Sequence, residues 1–275
     1  MDKYLIAMDL DGTIIPGLYD VSDYTIEVLK ALNKMGHKVV ISTGRPFRSS
    51  FFVYSKAKLN SPIINYNGQL ITYPNNSDFK EYSDVMEKDD LLDVYNHEKN
   101  NFTLFFSEYY DTIYTNYDSD DSRILMHHNE FSEIVVGDLN DTLKYGAHGT
   151  LLLAKEGKGH EIMDYVKKNH KDIGARLWNW KNFKEIFELY SLKHSKADAF
   201  EYVRDYLKID EEHTIACGDS INDLEIFKKA KITVVPKNAD ERIKRIASII
   251  LDKNCEEDAI ALFLNDYFKL GVEKR

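Results

Sequence analysis

One stretch decides the fold of this chain: Tyr4-Leu5-Ile6-Ala7-Met8-Asp9-Leu10-Asp11-Gly12-Thr13, in which an apolar run gives way at once to a polar turn. The run is typical of a buried β-strand, and Gly12 permits the sharp turn that follows it. The i, i+2 spacing of Asp9 and Asp11 sends both carboxylates to the same side of an extended segment. Because open α/β sheets bind ligands at the carboxyl ends of their strands, we expect a functional site here.

Strands and helices alternate outward from this stretch. Ser22 is a helix cap, Gly36 ends that helix, and residues 37–42 and 62–65 follow as further strands. The alternation returns late in the chain. Helices are predicted at 196–207 and 239–247, strands at 214–217, 233–235 and 249–251, and further helical faces around 224–230 and 259–267. This pattern predicts an α/β fold: a Rossmann-like parallel sheet with helices on both faces.

The middle of the chain differs, because its strands alternate in polarity and each pair of strands follows a helical stretch. A helix at 91–99 precedes strands at 102–106 and 112–115, and a helix at 160–170 precedes strands at 175–180 and 184–189. We interpret this region as an α+β domain inserted into the α/β one. The predicted domains are a core in two parts, 1–81 and 191–275, and a cap at 82–190.

Composition restricts the class of partner. The 275 residues include 36 Lys+Arg and 46 Asp+Glu, which gives a formal net charge of −10. That balance argues against nucleic acid and against an anionic membrane surface, both of which need a basic footprint. Cys217 and Cys255 cannot build a disulfide framework, and no apolar run is long enough for a signal peptide or a membrane span. We therefore expect a cytoplasmic protein.

A second acidic strand end strengthens the hypothesis of a site. Asp219 and Asp223 follow the predicted strand at 214–217, their i, i+4 spacing predicts one helix face, and Asn222 adds a neutral oxygen. Oxygen ligands of this kind suit a hard cation, and Mg²⁺ with phosphate is the common case. Helix capping is the alternative for these residues, but it explains one of them rather than a whole polar turn.

Two further parts of the sequence, Thr43-Gly44 and Lys196, have groups that could bind an anion. Thr43 and Gly44 offer a hydroxyl and backbone N–H groups at the end of the strand at 37–42, although a plain helix cap with Pro46 in its first turn also explains them. Lys196 opens a helix, where the helix dipole disfavours a cation, so acidic neighbours or an anionic ligand would hold it there. The alternatives are a solvated surface lysine, or Lys193 in the same role.

Taken in order, these motifs resemble the four motifs of the phosphatases of the haloacid dehalogenase (HAD) superfamily. The insert resembles the α+β cap of the Cof-type subfamily, and Asn67-Gly68 and Asn238-Ala239 match turns of that family. The resemblance covers essentially the whole chain. Four positions where the family usually has proline or glycine carry other residues here: Ser191, Lys193, Ala197 and Ala259. These departures leave Lys193 as the alternative to Lys196.

The resemblance implies a role for each matched residue. Asp9 is the implied nucleophile, which forms an aspartyl phosphate, and Asp11 is the implied acid and base. The remaining roles are support for Mg²⁺ and for the phosphoryl group. The implied metal ligands are Asp9, Asp219 and the backbone carbonyl of Asp11, and Asn222 and Asp223 support these ligands from behind. The implied phosphate-binding groups are Thr43, Gly44 and Lys196.

The expected function is therefore that of a Mg²⁺-dependent phosphatase acting on a small phosphorylated metabolite. Sugar phosphates head the substrates that the resemblance implies, with pyridoxal phosphate and nucleotides after them. One alternative is phosphoryl transfer to a second substrate, as in related phosphomutases. Another is a non-catalytic switch in which phosphorylated Asp9 is itself the signal. The sequence leaves the physiological substrate and the oligomeric state open.

Overall fold

The computed structural model describes residues 2–180 and 183–274, without the side chains of residues 178–180 and 183–184. Its strands are β1 (Leu5–Met8), β2 (Lys38–Ile41), β3 (Ile63–Asn65), β4 (Leu70–Thr72), β5 (Tyr82–Ser83), β6 (Phe102–Tyr109), β7 (Thr112–Thr115), β8 (Glu133–Val136), β9 (Gly149–Ala154), β10 (Ile173–Trp180), β11 (Phe183–Ser191), β12 (Thr214–Cys217), β13 (Ile232–Val235) and β14 (Ile249–Ile250). Its helices are α1 (Asp23–Lys34), α2 (Phe47–Lys56), α3 (Lys88–His97), α4 (Asp120–Leu125), α5 (Leu139–Thr142), α6 (Gly159–Asn169), α7 (Lys196–Leu207), α8 (Leu224–Phe227), α9 (Glu241–Lys244) and α10 (Ala259–Tyr267). Among these helices, none combines the length and apolar composition that a membrane crossing requires.

The chain divides into two compact units. The first unit comprises Met1–Arg45, Ser50–Tyr82 and Ser195–Arg275, and the second comprises Pro46–Ser49 and Ser83–His194.

A parallel sheet in the order β14-β13-β12-β1-β2 forms the centre of the first unit. Leu5 and Ala7 of β1 pack into one apolar cluster with Phe200 and Val203 of α7. The alternate residues of β1 are buried as well, so both faces of the sheet are covered. This confirms the predicted α/β core, because a parallel strand buried on both faces reads as a continuous apolar run.

The strand predicted at 62–65 is present as β3, which meets the main sheet through a parallel bridge between Ser42 and Ile64. It also pairs antiparallel with β4, which was not predicted. The ends of α1 agree with the sequence: the Ser22 side chain accepts a hydrogen bond from the N–H of Thr25, and Gly36 has a φ of +92°. α9 covers fewer residues than the helix predicted at 239–247.

The second unit contains a six-stranded sheet in the order β10-β11-β9-β6-β7-β8. The predicted hairpins are present, because β6 pairs antiparallel with β7 and β10 with β11. Leu91 of α3 and Ile162 of α6 lie in the apolar cluster on one face of this sheet. Leu125 of α4 and Ile113 of β7 lie in the cluster on the other face. The region therefore folds as α+β, as expected.

Candidate active site

The candidate site lies at the carboxyl ends of three neighbouring strands. The N–H of Asp9, directly after β1, donates to the carbonyl of Cys217 at the end of β12 (3.0 Å). The N–H of Ser42, directly after β2, donates to the carbonyl of Met8 (2.9 Å). Because β1 pairs with both β2 and β12, the loops that follow these three strands start side by side. The order of the sheet thus brings together motifs that are far apart in the sequence.

Three carboxylates and one ammonium group meet at this edge of the sheet. The Nζ atom of Lys196 lies 2.7 Å from a carboxylate oxygen of Asp9 and 2.7 Å from one of Asp223. One oxygen each of Asp9, Asp219 and Asp223 lies within 4.8 Å of the others. The Lys196 side chain is only 1% exposed. These four residues are called the carboxylate–lysine cluster below.

The electrostatics of this cluster show surplus negative charge. Burial raises the pKa of Asp9 to about 7; the charge of Lys196 opposes this rise, and that of Asp223 adds to it. Burial also raises the pKa of Asp219 to about 8, with repulsion from Asp9 and Asp223 adding to the rise. For Lys196, burial lowers the pKa, but the charges of Asp223 and Asp9 outweigh this effect and raise it above its usual value. One ammonium group therefore does not neutralise three carboxylates.

This donor set fits the Mg²⁺ that the family resemblance implies. Mg²⁺ prefers carboxylate and carbonyl oxygens, and the oxygens of Asp9, Asp219 and Asp223 lie close enough together to share one ion. A divalent cation would also supply the positive charge that the raised pKa values of Asp9 and Asp219 show to be missing.

Asp219 and Asp223 come together through a capping turn, and the prediction that they share a helix face is wrong. Ser220 caps a 3-10 turn at Ile221–Asp223, and α8 begins only after it. The N–H groups of Asp219 and Ser220 donate to one carboxylate oxygen of Asp223, at 3.2 and 3.3 Å. The other oxygen of Asp223 accepts a hydrogen bond from the ammonium group of Lys196. Asp223 therefore holds both the loop and the lysine in place.

Gly12 allows the loop after β1 to approach Asp219. Its φ of +73° lies in the left-handed region, and a Cβ atom here would lie 2.3 Å from a carboxylate oxygen of Asp219. Next to it, the hydroxyl of Thr13 lies 3.3 Å from a carboxylate oxygen of Asp9 and 3.3 Å from one of Asp219, so its one hydrogen is shared between the two acceptors. Thr13 belongs to the sequence motif, but no role was predicted for it. The structure shows a bridge between two of the carboxylates.

Asp11 lies outside the carboxylate–lysine cluster and pairs with Arg45. The guanidinium donates to both carboxylate oxygens of Asp11, with 2.7 Å from Nε, and lies 5.5 Å from the centre of the Tyr19 ring. The Asp11 side chain is 55% exposed, whereas that of Arg45 is buried. This bidentate pair fixes the direction of an accessible carboxylate. Sequence reasoning missed the role of Arg45, since the pairing depends on β1 and β2 being neighbours.

The other predicted phosphate-binding and supporting residues lie on loops of the same unit. The hydroxyl of Thr43 accepts a hydrogen bond from the N–H of Arg45 (3.2 Å), within the loop that precedes α2. Gly44 lies against Asn67, whose side-chain nitrogen would be 3.2 Å from a Cβ at Gly44. Asn222 donates to the carbonyl oxygen of the Asn67 side chain (3.0 Å). Asn67 thus joins two of the predicted motifs.

The two candidate lysines have different surroundings. Lys196 is buried between carboxylates. Lys193 belongs to the second unit, is 41% exposed and lies 3.9 Å from Glu87. An exposed ion pair of this kind contributes little to stability. The surroundings of Lys196 are those of a lysine held by acidic neighbours, as its place at a helix start predicted.

Known proteins resemble this chain over most of its length. The sequence profile of the haloacid dehalogenase-like hydrolases matches residues 6–264. The chain is 33% identical over 273 residues to the 5-amino-6-(5-phospho-D-ribitylamino)uracil phosphatase YitU of Bacillus subtilis, with 97% of this chain and 98% of that protein covered. A second protein of Bacillus subtilis, the 5-amino-6-(5-phospho-D-ribitylamino)uracil phosphatase YcsE, is 26% identical over 257 residues, with 94% and 93% covered.

The fold is also shared with solved structures. The crystal structure of a haloacid dehalogenase-like hydrolase from Bacteroides thetaiotaomicron matches with a TM-score of 0.83 at 22% identity, covering 97% of this chain and 100% of that one. The profile match, the related phosphatases and the shared fold agree with one another. The chain therefore belongs to the haloacid dehalogenase-like hydrolases and is an enzyme of the phosphatase type.

Proposed function

We propose that this protein is a Mg²⁺-dependent phosphatase that hydrolyses a small phosphorylated metabolite through an aspartyl phosphate on Asp9. The carboxylate–lysine cluster carries the proposal, because it combines a nucleophile, oxygen ligands and a cation at one sheet edge. The net negative charge of the chain does not oppose it, since a local cation reverses the sign of the field where the phosphate binds.

In this proposal, Asp9, Asp219 and the backbone carbonyl of Asp11 hold the metal ion. A bound Mg²⁺ would offset the charge of these carboxylates and of the phosphoryl oxygens, so that a dianion can approach. Asp223 would support the metal ligands from behind, because its hydrogen bonds hold the loop that carries Asp219 and the ammonium group of Lys196. Asn222 supports the same loop through its hydrogen bond to Asn67.

The reaction has two steps. In the first, a carboxylate oxygen of Asp9 attacks phosphorus and Asp11 protonates the departing alcohol oxygen. In the second, Asp11 takes a proton from water, whose oxygen attacks phosphorus and releases phosphate from Asp9. Lys196 and the Thr43-Gly44 loop bind the phosphoryl oxygens. We assign the lysine role to Lys196 rather than Lys193, since Lys196 contacts Asp9 directly.

We further propose that the second unit acts as the cap and sets the substrate. Two relatives are 5-amino-6-(5-phospho-D-ribitylamino)uracil phosphatases, so this sugar-alcohol phosphate is the first candidate substrate for the present chain. A panel of sugar phosphates, pyridoxal 5′-phosphate and nucleotides tests the rest of the expected class.

Phosphate release from this panel, with Mg²⁺ and with EDTA, tests the proposal. We expect turnover that requires Mg²⁺ and is abolished in Asp9→Asn, whereas Asp252→Asn, at an exposed position, behaves as the wild type. Turnover that survives both EDTA and Asp9→Asn would rule the mechanism out. A phosphorylated product in place of free phosphate would identify a phosphotransferase. A phosphorylated Asp9 that persists without turnover would identify a switch.

A further inference from the structure

The turn after β3 has an unusual backbone. Three consecutive residues have positive φ angles: Tyr66 at 49°, Asn67 at 54° and Gly68 at 107°. Glycine adopts such angles freely and asparagine tolerates them, but a buried tyrosine adopts them only where the surrounding structure enforces it. Backbone strain of this kind persists where the surrounding structure enforces it, and it clusters at functional sites.

The backbone of the turn holds two loops of the site. The N–H of Asn67 donates to the carbonyl of Thr43 (3.0 Å), and that of Tyr66 donates to the carbonyl of Arg45 (3.2 Å). On the other side, a Cβ at Gly68 would lie 2.4 Å from the carbonyl oxygen of Ser195, next to the start of α7. The turn therefore lies between the Thr43-Gly44 loop and the helix that supplies Lys196.

The side chain of Asn67 reaches a third loop. Its carbonyl oxygen accepts a hydrogen bond from the side-chain amide of Asn222 (3.0 Å), within the loop that carries Asp219 and Asp223. Because the nitrogen of the Asn222 amide is directed to Asn67, the oxygen of that amide has a fixed orientation as well. A residue at position 67 must meet two demands: a left-handed backbone and an acceptor that reaches Asn222. Glycine meets the first demand alone, whereas asparagine meets both.

We propose that Asn67 is a positioning residue that acts through Asn222, fixing the Asp219–Asp223 loop against the Thr43-Gly44 loop and so setting the affinity for Mg²⁺. The proposal rests on the proposed function, because it assumes that this loop binds the metal ion. Asn67 needs no contact with substrate or metal for this role. Groups behind metal ligands typically change metal affinity by about 10- to 100-fold when they are mutated.

A double-mutant cycle on Mg²⁺ binding, measured by titration calorimetry without substrate, tests the proposal. We expect Asn67→Gly and Asn222→Ala each to raise the Kd for Mg²⁺ about tenfold, and the double variant to be no weaker than the weaker single variant. Asn67→Asp keeps an acceptor for Asn222 and tolerates the backbone, so it should bind Mg²⁺ no more weakly than the wild type. Lys208→Gly, which changes another left-handed residue at the exposed end of α7, is the control and should bind normally.

Every outcome of this double-mutant cycle either supports or overturns the positioning role of Asn67. Wild-type Kd in Asn67→Gly, equal weakening in Asn67→Asp and Asn67→Gly, or single effects that multiply in the double variant would each overturn the positioning role. If Asn67→Gly does not fold by circular dichroism, Asn67→Ser, whose side chain is shorter, takes its place in the cycle. A wild-type protein that neither binds Mg²⁺ nor hydrolyses phosphomonoesters would instead overturn the proposed function, and this inference with it.

Discussion

A cluster of acidic residues in the second unit differs in environment from the carboxylate–lysine cluster of the first unit. In the second unit, His170 lies 3.2 Å from Asp90 and 2.9 Å from Asp93, and Tyr165 donates to Asp93 at 2.7 Å. Both aspartates are about half exposed there, and the hydrogen bond from Tyr165 lowers the pKa of Asp93. In the carboxylate–lysine cluster, burial raises the pKa of Asp9 and Asp219 instead.

The difference shows how to separate a functional acidic cluster from a structural one. In the second unit, each carboxylate meets a donor and solvent, so its charge costs little. In the first unit, the buried carboxylates of Asp9 and Asp223 share one lysine, and the less buried Asp219 lies close to both, so another cation or a proton would stabilise the group. Surplus negative charge, rather than the number of acidic residues, therefore distinguishes the candidate metal site.

The largest expected effect comes from replacing Lys196 in the carboxylate–lysine cluster. Lys196→Met leaves the buried carboxylates of Asp9 and Asp223 without their cation, and breaking a buried ion pair typically costs about 3–5 kcal/mol. We expect the free energy of unfolding in urea to fall by roughly this amount near neutral pH, and phosphatase activity to be lost. Lys193→Met should retain the wild-type stability and activity. Equal effects of the two substitutions would contradict the assignment of Lys196.

The next prediction concerns how Mg²⁺, by offsetting the negative charge of the carboxylate–lysine cluster, changes the stability of the protein at different pH values. The pKa values of Asp9 and Asp219 in the folded protein, about 7 and about 8, exceed that of an unfolded aspartate, about 3.9. Between these limits the folded state holds more protons than the unfolded state, so the stability of the metal-free protein falls as the pH rises. Mg²⁺ favours the ionised carboxylates and should therefore stabilise more at pH about 8 than at pH about 5.5.

The measurement is the free energy of unfolding with and without Mg²⁺ at both pH values. At one fixed free Mg²⁺ concentration, about one hundred times the Kd at pH about 8, the expected gain at that pH is about 2.7 kcal/mol, and the gain at pH about 5.5 should be smaller. Asp93, whose pKa is lowered, contributes in the opposite direction: its stabilisation is present above the unfolded pKa and is lost as the pH falls through the folded one. An equal gain from Mg²⁺ at both pH values would show that the first cluster does not hold the surplus charge.

The next prediction compares Gly12, which lies close to Asp219 of the carboxylate–lysine cluster, with Gly157 as a matched control. Gly12 and Gly157 both have a φ of +73°, but a Cβ at Gly12 would meet the Asp219 carboxylate, whereas one at Gly157 would have no neighbour within 4 Å among the described residues. Alanine should therefore cost backbone strain at both positions, about 1–2 kcal/mol, and displace a proposed metal ligand only at position 12. Gly12→Ala should weaken Mg²⁺ binding in a calorimetric titration, and Gly157→Ala should not. Equal binding by the two variants would contradict the steric argument.

How much of the fold could be predicted from the sequence depends on whether an element is set by neighbouring residues or by residues far away in the chain. Local signals placed α7 and β12 at their observed bounds, because Phe200, Val203 and Leu207 recur at helical spacing and an apolar run defines β12. The sequence analysis missed β9, whose alternating burial follows from its place between β6 and β11. Such a position is set by distant strands rather than by the residues of β9 itself.

The same limit applies to the site. A single sequence identified the acidic loops, because polar residues after apolar strands stand out. It did not reveal the pair of Arg45 with Asp11 or the contact of Asn67 with Asn222, since each joins separate loops across the sheet edge. It also mistook a capping turn for a helix face at Asp219 and Asp223, because an i, i+4 spacing occurs in both.

The smallest expected effect concerns the second cluster and completes the comparison. Tyr165→Phe removes one hydrogen bond to a half-exposed carboxylate, so the free energy of unfolding should fall by about 1 kcal/mol or less. The pKa of Asp93, followed by NMR titration of its side chain, should rise toward the usual value because its main lowering cause is gone. Phosphatase activity and Mg²⁺ affinity should match the wild type. A loss of Mg²⁺ affinity here would mean that exposure and hydrogen bonding do not separate structural acidic clusters from functional ones in this protein.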